Sequence, residues 1–277
     1  MGRKDGRKCK KIDNMYTIVP HIMPRRSDAC NATTVRVPYK PMHEYILRRR
    51  AEGVNISHMA LVIAAYVRTV SQYPYLNRFV VNKRVYAHNN IAVGMVVQRA
   101  DGAEGTMSKM YFKPTDTVTE VNDTVNSFVD GNRAENTNST DKLMDTLVHI
   151  PGLLRVGVAV LKWMDKHNWL PGAILDASPF HASMVISNLA SIRTNHIYHH
   201  IYDFGTISQI ITMGNLQDIA RRRGNEIVLE RYMPMGIVCD ERICGGYDYA
   251  KAFHMISDLL EHPERLETPP EKVVIDE

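Results

Sequence analysis

The 277-residue chain gathers its reactive side chains into two short stretches. One is Cys239 to Tyr247, read Cys-Asp-Glu-Arg-Ile-Cys-Gly-Gly-Tyr. It follows the apolar run Tyr232, Met233, Met235, Ile237 and Val238 and precedes an amphipathic stretch, so it reads as a strand-to-helix corner. Glu241 offers a carboxylate there, which reaches the working range of a general base only if burial lifts its pKa to about 6 or 7. Cys244 offers a thiol, but nothing near it in sequence lowers its pKa, and it reads as a packed side chain. The second stretch carries His196, His199 and His200. His199 and Asp203 make a His-x-x-x-Asp pattern suited to acid-base chemistry. Clustered imidazoles also suit a metal, yet His-x-x-His-His alone is a weak ligand set, so no metal is expected. Satisfied histidines at a subunit interface account for the cluster more simply.

These groups need a scaffold, and composition bounds it. With 44% hydrophobic residues the chain buries a large core, read here as one domain over residues 30–267 between a basic arm, 1–29, and a tail, 268–277. The net charge of +4 is smaller than the contribution of Arg3, Lys4, Arg7, Lys8, Lys10 and Lys11. The remainder is near neutral, which argues against a nucleic-acid partner, and the basic end reads as solvated and mobile. Four cysteines without Cys-x-x-Cys spacing fit reduced thiols and a cytoplasmic location. No secretory signal is read, and the apolar run Val156 to Leu161 is far short of the roughly 20 residues that span a bilayer.

Taken in order, Pro20 and Pro24 break any regular element in the arm. Thr34 to Pro38 alternates as a half-buried strand. A helix over Met42 to Arg50 stops at Gly53, and Asn55 or Ser57 caps a buried helix over Met59 to Ser71. Arg78 to Val81 and Val85 to His88 form a hairpin through Asn82, Lys83 and Arg84. Ile91 to Val97 is an interior strand, and a turn at Asp101-Gly102 leads to a strand over Thr106 to Phe112. The pattern is helical from Thr115 to Leu170 around an exposed loop, Asn132 to Thr140; the helix Leu153 to Met164 reads as core or subunit packing. Met184 to Ile186 begins a strand that Ser187-Asn188-Leu189 closes. Ile207 to Met213 and Ile227 to Val238 form a long hairpin, and the last helix carries Tyr249, Ala252, Phe253, Ile256, Leu259 and Leu260 on one stripe before Pro263. No Gly-x-Gly-x-x-Gly or Walker sequence supports a nucleotide site.

Several stretches in consistent order resemble the catalytic domain of the 2-oxo acid dehydrogenase acyltransferases. They are Glu52 to Ser57, Tyr73-Pro74-Tyr75-Leu76-Asn77, Asn90 to Gly94, Val185 to Leu189, Met233-Pro234-Met235 before the Asp240 corner, and Glu261 to Leu266. The chloramphenicol acetyltransferases are similar more distantly, through Ile243 to Tyr247 and Thr212-Met213-Gly214. The resemblance implies an α/β sandwich, a mixed sheet flanked by helices, assembled as a homotrimer with active-site channels between subunits. It implies acyl transfer from a thioester such as acyl-CoA. No lipoyl or subunit-binding domain is read ahead of the domain, so a place inside a dehydrogenase complex is not an expectation of the resemblance.

In that family's His-x-x-x-Asp-Gly corner an imidazole deprotonates the acceptor. Here Glu241 stands at the histidine position, Gly245 at the aspartate and Gly246 at the glycine. A carboxylate is about four pKa units weaker as a base than a thiolate, a mismatch on the order of 5 kcal/mol. The resemblance makes Arg25 or Arg26 the arginine that loses its aspartate partner, with Glu241 turning toward it as a structural ion pair or serving as an altered base. Ser187 matches a serine that steadies the oxyanion, although Ala190 replaces the glycine of that turn, and a strand-end serine bonding local backbone explains it as well. His199 is the second catalytic candidate. Two functions follow as expectations: an acyltransferase with an altered base, or a catalytically silent trimeric scaffold.

Overall fold

The computed structural model describes residues 3–97, 107–134, 148–149 and 153–276. Among these residues the chain forms β1 (Gly6–Lys8), α1 (Asn14–Ile22), β2 (Cys30–Pro38), α2 (Tyr39–Ala51), α3 (His58–Gln72), β3 (Arg78–Val81), β4 (Arg84–His88), β5 (Ile91–Val96) and β6 (Met107–Phe112). There follow α4 (Val118–Ala134), α5 (Leu153–Lys166), α6 (Gly172–Ala177), β7 (Met184–Asn188), β8 (Gln209–Met213), β9 (Gln217–Arg223), β10 (Glu226–Asp240) and α7 (Gly246–Glu261). The expected mixed α/β class is what forms.

The main sheet runs β2-β10-β8-β7-β5-β6, with β9 paired to the first half of β10. Parallel pairing joins β5 to β7 and β7 to β8, and the other pairs are antiparallel. The 15-residue β10 therefore serves two partnerships: its exposed first half makes a hairpin with β9, and its buried second half lies between β2 and β8. Ser57 caps α3 by accepting from the Ala60 N–H at 3.0 Å, and residues Ala60 to Ser71 of this helix are all buried. The stripe on α7 packs with α3 and β2 against the same core. Asn82 and Lys83, both at positive φ, make the two-residue β3–β4 turn. The Asp101-Gly102 turn lies outside the described residues.

Both ends of the chain correct the sequence reading of a loose arm and tail. β1 pairs with β4 and completes a three-stranded sheet, β1-β4-β3, while α1 forms with Pro20 inside it. Arg3 is buried because two carboxylates offset its charge: it donates to both Asp5 oxygens at 2.8 Å and to Asp165 at 2.8 Å. At the other end Asp276 accepts from Arg78 at 2.5 and 2.6 Å, and the Val274 N–H donates to the Ser71 carbonyl. Buried ion pairs across long sequence separations thus tie down both chain ends, which also meet each other where Arg7 donates to the Asp276 carbonyl at 2.7 Å. Of the two readings of α5, packing into the core of its own chain is set aside: Leu154, Val156, Val160 and Trp163 are exposed.

The same region buries His88 against the Phe79 ring at 4.3 Å between centroids, and burial pulls its pKa down to about 4 from an ordinary 6.5. The unfolded chain therefore takes up a proton between these values that the folded chain refuses. Stability is expected to fall as the pH drops from about 7 toward 4.5, by up to roughly 3 kcal/mol from this group. Urea unfolding across this range checks it, and His88→Asn should flatten the slope.

Candidate functional site

The corner begins where β10 runs out. Asp240 is its last residue and is fully buried. Its backbone N–H donates to the Ser208 carbonyl at 2.9 Å, and the next N–H, of Glu241, donates to Ala29 at 2.8 Å. The Tyr249 hydroxyl from α7 closes the other side by donating to the Asp240 carbonyl at 2.9 Å.

The Asp240 carboxylate holds two guanidinium groups. Arg242 donates to both of its oxygens, at 2.8 and 2.7 Å, and Arg26 donates to one at 3.2 Å. Both arginines are buried and spend their remaining N–H groups on carbonyls. Arg242 reaches Pro24 at 3.2 Å, and Arg26 reaches Tyr202 at 2.6 Å and Gly205 at 3.0 Å. Arg26 is accordingly the structural arginine of the corner, whereas Arg25 is exposed at the rim of a neighbouring cleft.

This corrects the expected ion pair. Arg26 has not lost its carboxylate partner, and Glu241 does not turn toward it; the adjacent Asp240 supplies the charge. The Glu241 side chain is half-buried and makes no hydrogen bond or ion pair among the described residues, with its place fixed by its backbone alone. Gly245 precedes the first residue of α7, Gly246, at the helix N-cap. A Cβ built on Gly245 would meet the Tyr16 hydroxyl from α1 at 2.6 Å, so an aspartate there has to displace the tip of that half-buried tyrosine. Around Gly246 nothing lies within 4 Å. Burial pushes the Cys244 thiol well above its ordinary range, consistent with a packed, inert group.

Ser187 is half-buried near the end of β7, with no side-chain hydrogen bond among the described residues. The registers place it level with Thr212 and Gly236, whereas Cys239, beside the corner, is level with Gln209 and Met184. That is three residues along the strands and two strands across, or about 10 Å in each direction. One subunit does not bring Ser187 and Glu241 together. His199 is not part of a relay with Asp203 either. Its Nδ1–H donates to the His200 carbonyl at 2.8 Å. The Asp203 carboxylate accepts from the backbone N–H groups of Arg26 and Ser27 at 2.8 and 3.1 Å. Burial raises Asp203, but these bonds prevail and hold its pKa below the ordinary value. His196 sits over the sheet, 3.0 Å from the Thr34 hydroxyl. No group of three or more metal-ligating side chains occurs among the described residues.

Sequence reasoning missed a second group of titratable residues. A cleft of about 420 Å³ is lined by Lys109, His181, His88, Asp5 and Asp176 among others. Lys109 donates to the Leu175 and His181 carbonyls at 2.6 and 2.8 Å, and burial lowers its pKa to about 8. These residues come from strands and loops far apart in sequence, and no motif marks them.

Residues 180–268 match the family model of the 2-oxoacid dehydrogenases acyltransferase catalytic domain. The cubic core of a pyruvate dehydrogenase multienzyme complex is 12% identical, with 93% of each chain covered at a TM-score of 0.58. A probable dihydrolipoamide acetyltransferase from Listeria monocytogenes is 13% identical, covering 91% of this chain and 94% of that one at 0.56. A chloramphenicol acetyltransferase, 11% identical, covers 92% of this chain and 99% of that one, also at 0.56. No curated protein matches the sequence. The resemblance read from the sequence is thereby borne out: the chain has the acyltransferase catalytic-domain fold, and its corner lies in the stretch that carries the family pattern.

The Tyr16 contact makes a prediction. Gly245→Asp is expected to lower the unfolding free energy by about 1 kcal/mol or less, because the Tyr16 hydroxyl has to swing aside. Tyr16→Ala combined with Gly245→Asp should recover at least half of that loss, because an aspartate at a helix N-cap is otherwise favourable. Urea denaturation of the single and double variants measures both.

Proposed function

We propose that this chain is an acyltransferase-fold protein that assembles as a homotrimer, retains a site for an acyl thioester such as acyl-CoA, and has lost the transfer chemistry of the family corner. It acts as a binding module or scaffold. The observation that carries this reading is the double replacement at the corner: the Tyr16 hydroxyl lies beside Gly245, and Asp240 supplies the charge that holds the arginine. The corner is therefore stabilised without a catalytic pair, and position 241 presents a carboxylate in place of the imidazole that matches a thiol acceptor. Fold outlasts such a change more readily than activity does. The separation of Ser187 from Glu241 within one chain fits a channel formed between subunits.

A second reading has its own observation. Glu241 and Ser187 both carry side chains without partners among the described residues, as an altered base and an oxyanion donor would. One experiment separates the two. The purified protein is mixed with acetyl-CoA and a panel of thiols and amines, CoA release is followed, and CoA binding is measured by calorimetry. The scaffold reading expects CoA binding, release at the buffer rate, and no change on Glu241→Gln. Turnover that Glu241→Gln abolishes in an intact trimer would establish the altered-base reading, and absence of CoA binding would remove both.

A further inference from the structure

Beside the corner lies a cleft of about 400 Å³ with an unusual charge balance. Six cationic side chains line it, Arg25, Arg26, Lys83, Lys162, Lys166 and Arg242, against two carboxylates, Asp165 and Asp203. The two carboxylates offset part of this charge, and an excess of four cations over carboxylates remains (six less two). Asp165 is paired with Arg3 at 2.8 Å, and Asp203 accepts from the Arg26 and Ser27 backbone. The floor is positive as well, because Arg26 and Arg242 share the single Asp240 carboxylate and all three are at least 97% buried. Two buried guanidinium groups with one counter-charge leave a field that solvent screens poorly.

The rim cations come from three separate walls. Arg25 belongs to the segment between α1 and β2, and Lys83 sits in the β3–β4 turn at φ 60°. Lys162 and Lys166 are one helical turn apart on α5, on one face. All four are exposed and make no ion pair among the described residues. Several cations facing one depression favour a ligand with more than one negative charge, such as linked phosphates, over a single carboxylate. The volume falls within the roughly 300 to 1,000 Å³ common for small-ligand sites.

We propose that this cleft is a binding site for a diphosphate-bearing small molecule, held by Arg25, Lys83, Lys162 and Lys166 over the positive floor of the Arg26–Asp240–Arg242 clamp. Coenzyme A also carries a diphosphate, so CoA titrated into Lys162→Gln/Lys166→Gln separates the two readings: binding in a channel at the corner survives the change, and binding in this cleft does not.

Calorimetric titration of the full-length protein with pyrophosphate and with ADP, at low ionic strength, tests it. Saturable binding is expected, falling with added salt. The double variant Lys162→Gln/Lys166→Gln should weaken it by about tenfold or more. Arg221→Gln, on the separate basic hairpin of β9 and β10, should leave it unchanged. Both lysines are exposed, and an unaltered melting temperature without ligand shows that the variant is folded. Tighter binding of ADP than of pyrophosphate assigns the ligand to the nucleotides, and equal binding assigns recognition to the phosphates alone. No saturable binding of either probe, or binding that survives Lys162→Gln/Lys166→Gln, overturns the proposal.

Discussion

Two guanidinium groups on one fully buried carboxylate hold this molecule's C-terminal corner together. Asp240 ends the strand that lies between β2 and β8 and opens the turn into α7. Through Arg242 it fixes the segment at Pro24, and through Arg26 it reaches the carbonyls of Tyr202 and Gly205. Burying three charges is costly. It is tolerated because the geometry is good and further N–H groups of both arginines reach carbonyls. Remove the central carboxylate and two buried cations stay behind without a counter-charge between them, a larger penalty than the loss of one hydrogen bond.

This clamp also explains how the corner keeps its shape without the residues expected there. An acyltransferase corner of the His-x-x-x-Asp-Gly type needs its carboxylate for structure and its imidazole for chemistry. Here Asp240 supplies the structural charge, and the Tyr16 hydroxyl lies beside Gly245. The same clamp brings an excess of positive charge to the floor of the neighbouring cleft, so a solution to a folding constraint also shapes the electrostatics of the nearest surface depression.

Elements with strong periodicity were legible in the sequence. The apolar runs gave β5, β8 and the buried half of β10; the stripe on α7 and the Ser57 cap of α3 lie where spacing and cap chemistry put them. The corner itself was legible as a strand-to-helix turn. Its wiring was not, because Arg26 and Asp240 are 214 residues apart, and which carboxylate meets the arginine depends on how side chains point at a strand end. Glu241 is one residue further on and points elsewhere. Tyr16 and Arg3 were hidden for a related reason: a short segment rich in Lys and Arg reads as solvated unless one knows that Asp5 and Asp165 wait to neutralise Arg3. The His199-x-x-x-Asp203 spacing shows the converse, a pattern whose members bond to other groups.

The most direct test compares two adjacent carboxylates. Unfolding free energies of Asp240→Asn and Glu241→Gln, measured by urea denaturation at neutral pH, should differ sharply. Asp240→Asn is expected to cost about 3 kcal/mol or more, because two buried guanidinium groups lose their counter-charge. Glu241→Gln should stay within about 0.5 kcal/mol of the parent protein. An Asp240→Asn variant as stable as the parent, or a Glu241→Gln variant equally destabilised, would contradict the account.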